Sequence, residues 1–153
     1  MKAEKIAFSD ISTQANLIKS GQLSPVDLVE IYLERIEKWN SILCAWTFIC
    51  GEQALAQAKA MQDEIAAGKY RGVLHGIPFG VKDQMMTKDV PTSLASVIRE
   101  DFGSDRDATV VKKLQDAGAI LIGKQNLHEF GKGGANTFHF GEPRNPWNPN
   151  HTP

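Results

Sequence analysis

The chain is short of cysteine: 153 residues hold only Cys44 and Cys50. Two cysteines build no disulfide framework, and in a mostly apolar stretch they read as buried thiols of a reducing compartment. An excess of charge of either sign is also missing. Seventeen basic residues face 18 acidic ones, for a net charge of −1, and the basic residues are scattered. Nothing in that balance points to nucleic acid or an anionic membrane. Long hydrophobic runs are absent too. The longest near-apolar stretch, Ile42 to Cys50, falls far short of the ~20 residues of a membrane helix. Met1 to Asp10 lacks the apolar core of a signal peptide. The four histidines, His75, His128, His139 and His151, have none of the paired spacings of a zinc site. These absences predict a cytoplasmic protein with no nucleic-acid or membrane partner, no metal and no cofactor.

What is present is ordinary for a globular domain: 42% hydrophobic and 23% charged residues. A chain of this length can bury roughly 70% of the surface its unfolded form exposes. The first 70 residues read as mainly helical. A helix from about Ser9 to Lys19 ends at Gly21. Ser24-Pro25-Val26-Asp27 is a second helix start, with Ser24 as N-cap, Pro25 at the first helical position and Asp27 in the first turn. Leu23 and Leu28 stand at the positions of a hydrophobic staple. Leu28, Tyr32, Ile36 and Trp39 then repeat at helical spacing and read as core. Ile42 to Cys50 is β-branched and aromatic enough for a buried strand. Glu52 to Ala67 reads as a helix capped by Gly68.

Residues 71–153 change character. Ile77 to Val81 reads as a strand. Asp107 to Ala117 reads as a helix with Val110, Val111 and Leu114 inward, and Ala119 to Ile122 as a short buried strand. The alternation predicts an α/β layer fold in a single domain. From Gly131 onward glycine, asparagine and proline dominate and predict loop.

Two lysines attract attention. Gly118 to Gln125 nearly fits phosphate-loop spacing, with Lys124 in the lysine position. The match fails because the intervening residues are apolar strand material and Gln125 replaces the magnesium-binding hydroxyl. Lys82 closes the segment Leu74-His75-Gly76-Ile77-Pro78-Phe79-Gly80-Val81-Lys82-Asp83. Glycine and proline keep that segment extended, and a lysine buried or half-buried at its end loses hydration of its charge. Such an environment favours the neutral amine, a base near neutral pH.

That segment, the run from Asp107 to Lys124, and the later Glu129-Phe130, Phe140-Gly141 and Arg144-Asn145-Pro146-Trp147 together resemble the amidase signature family in order and spacing. The resemblance extends from about Ser24 to Pro153. It implies the N-terminal portion of the amidase signature fold, a mixed β-sheet flanked by α-helices, within an amide hydrolase of the Ser–cis-Ser–Lys type that converts a carboxamide to a carboxylate plus ammonia or amine. By that resemblance Lys82 is the catalytic lysine. Lys132, Gly133 and Gly134 fall in a loop that would border the site of a small-molecule amide substrate. In the family both serines belong to a Gly/Ser-rich region that begins just after the position of Pro153, and Ser104 is the last serine here. The chain is therefore expected to carry one member of the triad and to be inactive alone. Gln84-Met85 and Ser93-Leu94-Ala95-Ser96 depart from the family's usual residues, the latter from a glycine-containing stretch.

Three readings compete. The chain is the N-terminal part of an amide hydrolase, a non-catalytic fragment acting as an interaction module, or an α/β ligand-binding domain unrelated to amidases. A chain stopping at Pro153 is also expected to expose a strand edge and apolar helix faces. Self-association, or a partner covering that edge, follows as an expectation.

Overall fold

The computed structural model describes residues 3–133 and 138–153. The elements in chain order are α1 (Ala3–Ala7), α2 (Ile11–Lys19), α3 (Pro25–Leu43), β1 (Trp46–Ile49), α4 (Gly51–Ala66), β2 (Pro78–Lys82), α5 (Thr109–Asp116) and β3 (Ile120–Gln125). Short 3₁₀ turns occur at Val97–Arg99 and Glu129–Gly131. The start of α3 is formed by the residue expected to cap it. The Ser24 hydroxyl accepts the Asp27 N–H at 2.9 Å, and Asp10 caps α2 by accepting the Thr13 N–H at 2.8 Å. Gly68, at φ +77°, ends α4 as its N–H and that of Lys69 reach back to the carbonyls of Ile65 and Glu64.

Several expectations are corrected. α1 was not foreseen. The predicted strand from Ile42 forms only from Trp46, because α3 continues through Leu43. Within α5, Val111 is buried but Val110 is 48% exposed. In α3, Leu28 and Ile36 are buried while Trp39 is 41% exposed, since α3 turns that last position outward. β3 runs past Ile122 to Gln125, which settles the phosphate-loop spacing as strand.

The strand order is β1-β3-β2. β1 and β3 are antiparallel, pairing Trp46 with Gln125 and Ile49 with Gly123. β2 runs parallel to β3: Ile120 N–H donates to the Ile77 carbonyl at one end, and Asp83 N–H to the Gln125 carbonyl at the other, both at 2.9 Å. The sheet is mixed, as predicted.

The chain forms two compact units interleaved in sequence: Met1–Arg35, Cys50–Phe79 and Lys112–Ile122 in one, Ile36–Ile49, Gly80–Val111 and Gly123–Pro153 in the other. The first is built around Ile6, Ile18, Leu23, Leu28 and Ile77. It also holds fully buried His75, which accepts the Arg71 N–H on Nδ1 at 2.9 Å. Cys50 is buried there and its Sγ reaches the Leu121 carbonyl at 3.3 Å.

The second unit carries the ends of β2 and β3 and the loops that follow them. Its sheet face shows why two strand positions are glycine. A Cβ on Gly80 would lie 2.5 Å from Cη2 of Trp46, and one on Gly123 would lie 2.4 Å from the Phe48 carbonyl oxygen and 3.0 Å from Cε3 of the same indole. The indole of β1 therefore lies across β3 onto β2 over two positions that lack side chains.

Candidate active site

The candidate site grows from strand alternation at the end of β2. Successive side chains of a strand point to opposite faces, and here Val81 and Asp83 are buried while Lys82 is exposed. The expectation of a buried or half-buried Lys82 is thus corrected by one position: the buried ionisable residue is its neighbour. Lys82 lines a cavity of about 310 Å³ with Asn126, Leu127, His128 and Glu142 among its walls. Asp83 faces a separate cavity of about 190 Å³, lined also by Ser93, Glu100 and Asp101.

The walls of the larger cavity are held by bonds of their own. Asn126 donates to the carbonyls of Cys44 at 2.8 Å and Gly141 at 2.9 Å, and accepts the Leu127 N–H at 2.8 Å. His128 packs on Phe138 with ring centroids 5.2 Å apart, and Glu142 pairs with Arg144 at 2.7 Å. Lys82, by contrast, makes no side-chain hydrogen bond or ion pair among the described residues.

Behind Lys82 lies a network that the sequence reading missed. Lys124 is fully buried. Its ammonium meets the carbonyls of Met85 (2.9 Å) and Pro91 (3.1 Å), the hydroxyls of Thr92 (2.8 Å) and Thr87 (3.0 Å), and Asp83 Oδ1 (3.2 Å). The two threonine hydroxyls donate elsewhere, Thr87 to the Val90 carbonyl and Thr92 to that of Met85, which turns their lone pairs toward Lys124. The Asp83 carboxylate also accepts from the Ser93 hydroxyl and, at 3.3 Å, from its N–H. An ammonium buried without such partners would be prohibitively costly. Period-2 alternation was the available signal: Ile120, Ile122 and Lys124 share one face of β3, and the first two are core.

The segment after Ser93 is strained. Leu94 and Ala95 both take left-handed backbone angles, φ 56° and 54°, and Phe130, whose N–H donates to the Leu94 carbonyl at 2.9 Å, takes φ 53°. This accounts for a glycine-containing stretch being usual here in the family the sequence resembles. Lys132 and Gly133 are exposed and are not among the described residues lining the Lys82 cavity. Gly134 lies outside the described residues. Among the described residues no group of three metal-ligating side chains occurs, and no helix there is long and apolar enough to cross a membrane.

A family profile described as amidase matches residues 27–153. The chain belongs to the amidase family. It is 40% identical over 148 residues to AmiD of Mycobacterium bovis, covering 95% of this chain and 30% of that protein. It is likewise 40% identical over 137 residues to the A subunit of glutamyl-tRNA(Gln) amidotransferase from Thermobifida fusca, covering 89% of this chain and 28% of that one. Among solved structures, native peptide amidase from Stenotrophomonas maltophilia superposes with a TM-score of 0.87 at 31% identity, over 95% of this chain and 31% of that enzyme. This amidase chain thus spans only 28–30% of the length of these two curated relatives. The likeness in backbone carries the fold, an N-terminal amidase portion with a mixed sheet.

Proposed function

We propose that this amidase chain supplies the lysine of a Ser–cis-Ser–Lys amide hydrolase, and that Lys82 is that lysine. The observation that carries the reading is its placement. Lys82 ends a strand of the matched amidase portion, borders a cavity and has no partner of its own among the described residues. The remainder of the enzyme supplies both serines, in keeping with the share of its relatives that the chain spans.

The chemistry assigns each group a task. In the complete enzyme the Lys82 amine takes a proton from the bridging serine, which takes one from the nucleophilic serine as its oxygen attacks the amide carbonyl. The tetrahedral oxyanion is held by backbone N–H groups. The relay then returns the proton to the departing nitrogen, which leaves as ammonia or amine while the acyl group stays on the serine. Water releases the carboxylate by the same relay and restores the free hydroxyl. This is triad logic with lysine in the place of histidine. An amidotransferase would use the same first half-reaction and pass the ammonia to an acceptor, and the 40% identity to one of its subunits fits that variant of the reading.

The test is ammonia release from a neutral primary carboxamide by the full-length enzyme and its Lys82→Ala variant. The expected loss is at least about a thousandfold in kcat. The exposed position of Lys82 keeps the melting temperature unchanged. A Lys82→Ala enzyme within tenfold of the parent rate would refute the assignment.

A further inference from the structure

We propose that Lys124, acting through Asp83, is a positioning residue for Lys82, a role that rests on the functional reading above. The stem of Lys82 is long and has no hydrogen bond of its own among the described residues, so its amine is only as well placed as its backbone. That backbone is fixed in part at Asp83, the residue that follows the strand. The Asp83 N–H donates to the Gln125 carbonyl at 2.9 Å, and its carbonyl accepts from Leu94 N–H at 3.1 Å. Its carboxylate is gripped by Ser93 and by the Lys124 ammonium at 3.2 Å.

Chain direction reverses at once after the strand, as Met85 N–H closes onto the Lys82 carbonyl at 2.9 Å. The reversed segment then wraps Lys124, which collects acceptors from Met85, Thr87, Pro91 and Thr92. The turn that sets the exit angle of Lys82 is therefore assembled around a cation provided by the neighbouring strand. Removing Lys124 takes the cation from the buried Asp83 carboxylate, which keeps only Ser93 as a donor, and takes their shared donor from four other acceptors. The turn must then open or admit water, and the Cα of Lys82 moves with it. Misplacement of a catalytic group by about 1 Å costs on the order of a hundredfold in rate.

A purely structural role and a positioning role separate in a pair of variants of the full-length enzyme, with benzamide as the probe substrate. Lys124→Met leaves an uncompensated buried carboxylate and destabilises the fold. Asp83→Asn/Lys124→Met removes both charges and recovers much of the melting temperature, as expected when a buried ion pair is neutralised as a unit. Positioning predicts that kcat stays depressed by about ten- to a hundredfold in the double variant, while KM changes less than threefold. Return of kcat to within threefold of the parent as stability recovers would overturn the proposal. Should the double variant fail to fold, Thr92→Val, an isosteric change that removes one acceptor from Lys124, carries the test. A severalfold loss of kcat at unchanged KM supports the role, and a parental kcat overturns it. Lys82→Ala measured alongside tells the two failures apart. An active Lys82→Ala enzyme sinks the functional reading itself, whereas an inactive one beside a fully active double variant removes only the role of Lys124.

Discussion

Replacing Gly80 by alanine should destabilise the protein, and the sign of that effect should depend on residue 46. In isolation, alanine is the better strand residue. It constrains the unfolded chain more than glycine, which stabilises by about 0.4–1 kcal/mol where the native backbone accepts it, and Gly80 does not occupy the left-handed region. Against this, the new methyl would sit 2.5 and 2.6 Å from Cη2 and Cζ3 of Trp46. Overpacking of this kind costs about 1–3 kcal/mol, and the third neighbour, Nε2 of Gln125 at 3.1 Å, is the end of a flexible side chain that can give way. The net expectation is a loss of about 1–2 kcal/mol, or a fall of about 2–8 °C in melting temperature for a domain of this size. Urea unfolding followed by far-UV circular dichroism measures it, and tryptophan emission should shift as the indole is lifted. In a Trp46→Leu background the methyl has room, and Gly80→Ala should become neutral or stabilising by up to about 1 kcal/mol. Equal costs in both backgrounds would refute the claim that the indole is what forbids a side chain at position 80.

Two further outcomes follow from the first unit. Burial holds the His75 imidazole below its ordinary pKa, an effect that Glu64, 3.7 Å away, partly opposes. The folded state thus binds its proton less readily than the unfolded chain, so stability is intact above pH ~6.5 and falls as pH drops from there toward the lowered folded value. His75→Phe should flatten that limb, and unfolding midpoints at pH 7.5 and 5.0 that differ equally in parent and variant would contradict it. Ser24→Ala removes the hydroxyl that accepts the Asp27 N–H and should cost about 1 kcal/mol, read as a lower urea midpoint. Ser24→Gly should cost only a few tenths, and a larger loss for glycine than for alanine would speak against capping as the cause.

Much of the fold was legible because local chemistry decided it. Ser24-Pro25 and Gly68 fix helix ends through caps that involve a few adjacent residues, and the structure forms them where the sequence places them. Burial of single residues was less legible, since it depends on register. Reading the run ending at Lys82 as uniformly apolar overlooks that Val81 and Asp83 share one face and Gly80 and Lys82 the other, and a shift of one residue exchanges the two. The same periodicity would have placed Lys124 beside Ile120 and Ile122 in the interior. Its acceptors were beyond reach of the sequence, because all five neighbours lie 32 to 41 positions away and two of them are threonines that look like ordinary strand or turn residues. The reason for Gly80 was equally hidden, as it resides in a ring contributed by a different strand.

Enclosure of the Lys124 amine also gives the loop around it a chemical clock. An acylating reagent in the solvent reaches Lys82 directly, yet it can touch Lys124 only during moments when the 85–92 segment lifts away. Peptide mass spectrometry of a timed labelling series would therefore record how often that one turn breathes, separately from unfolding of the whole chain.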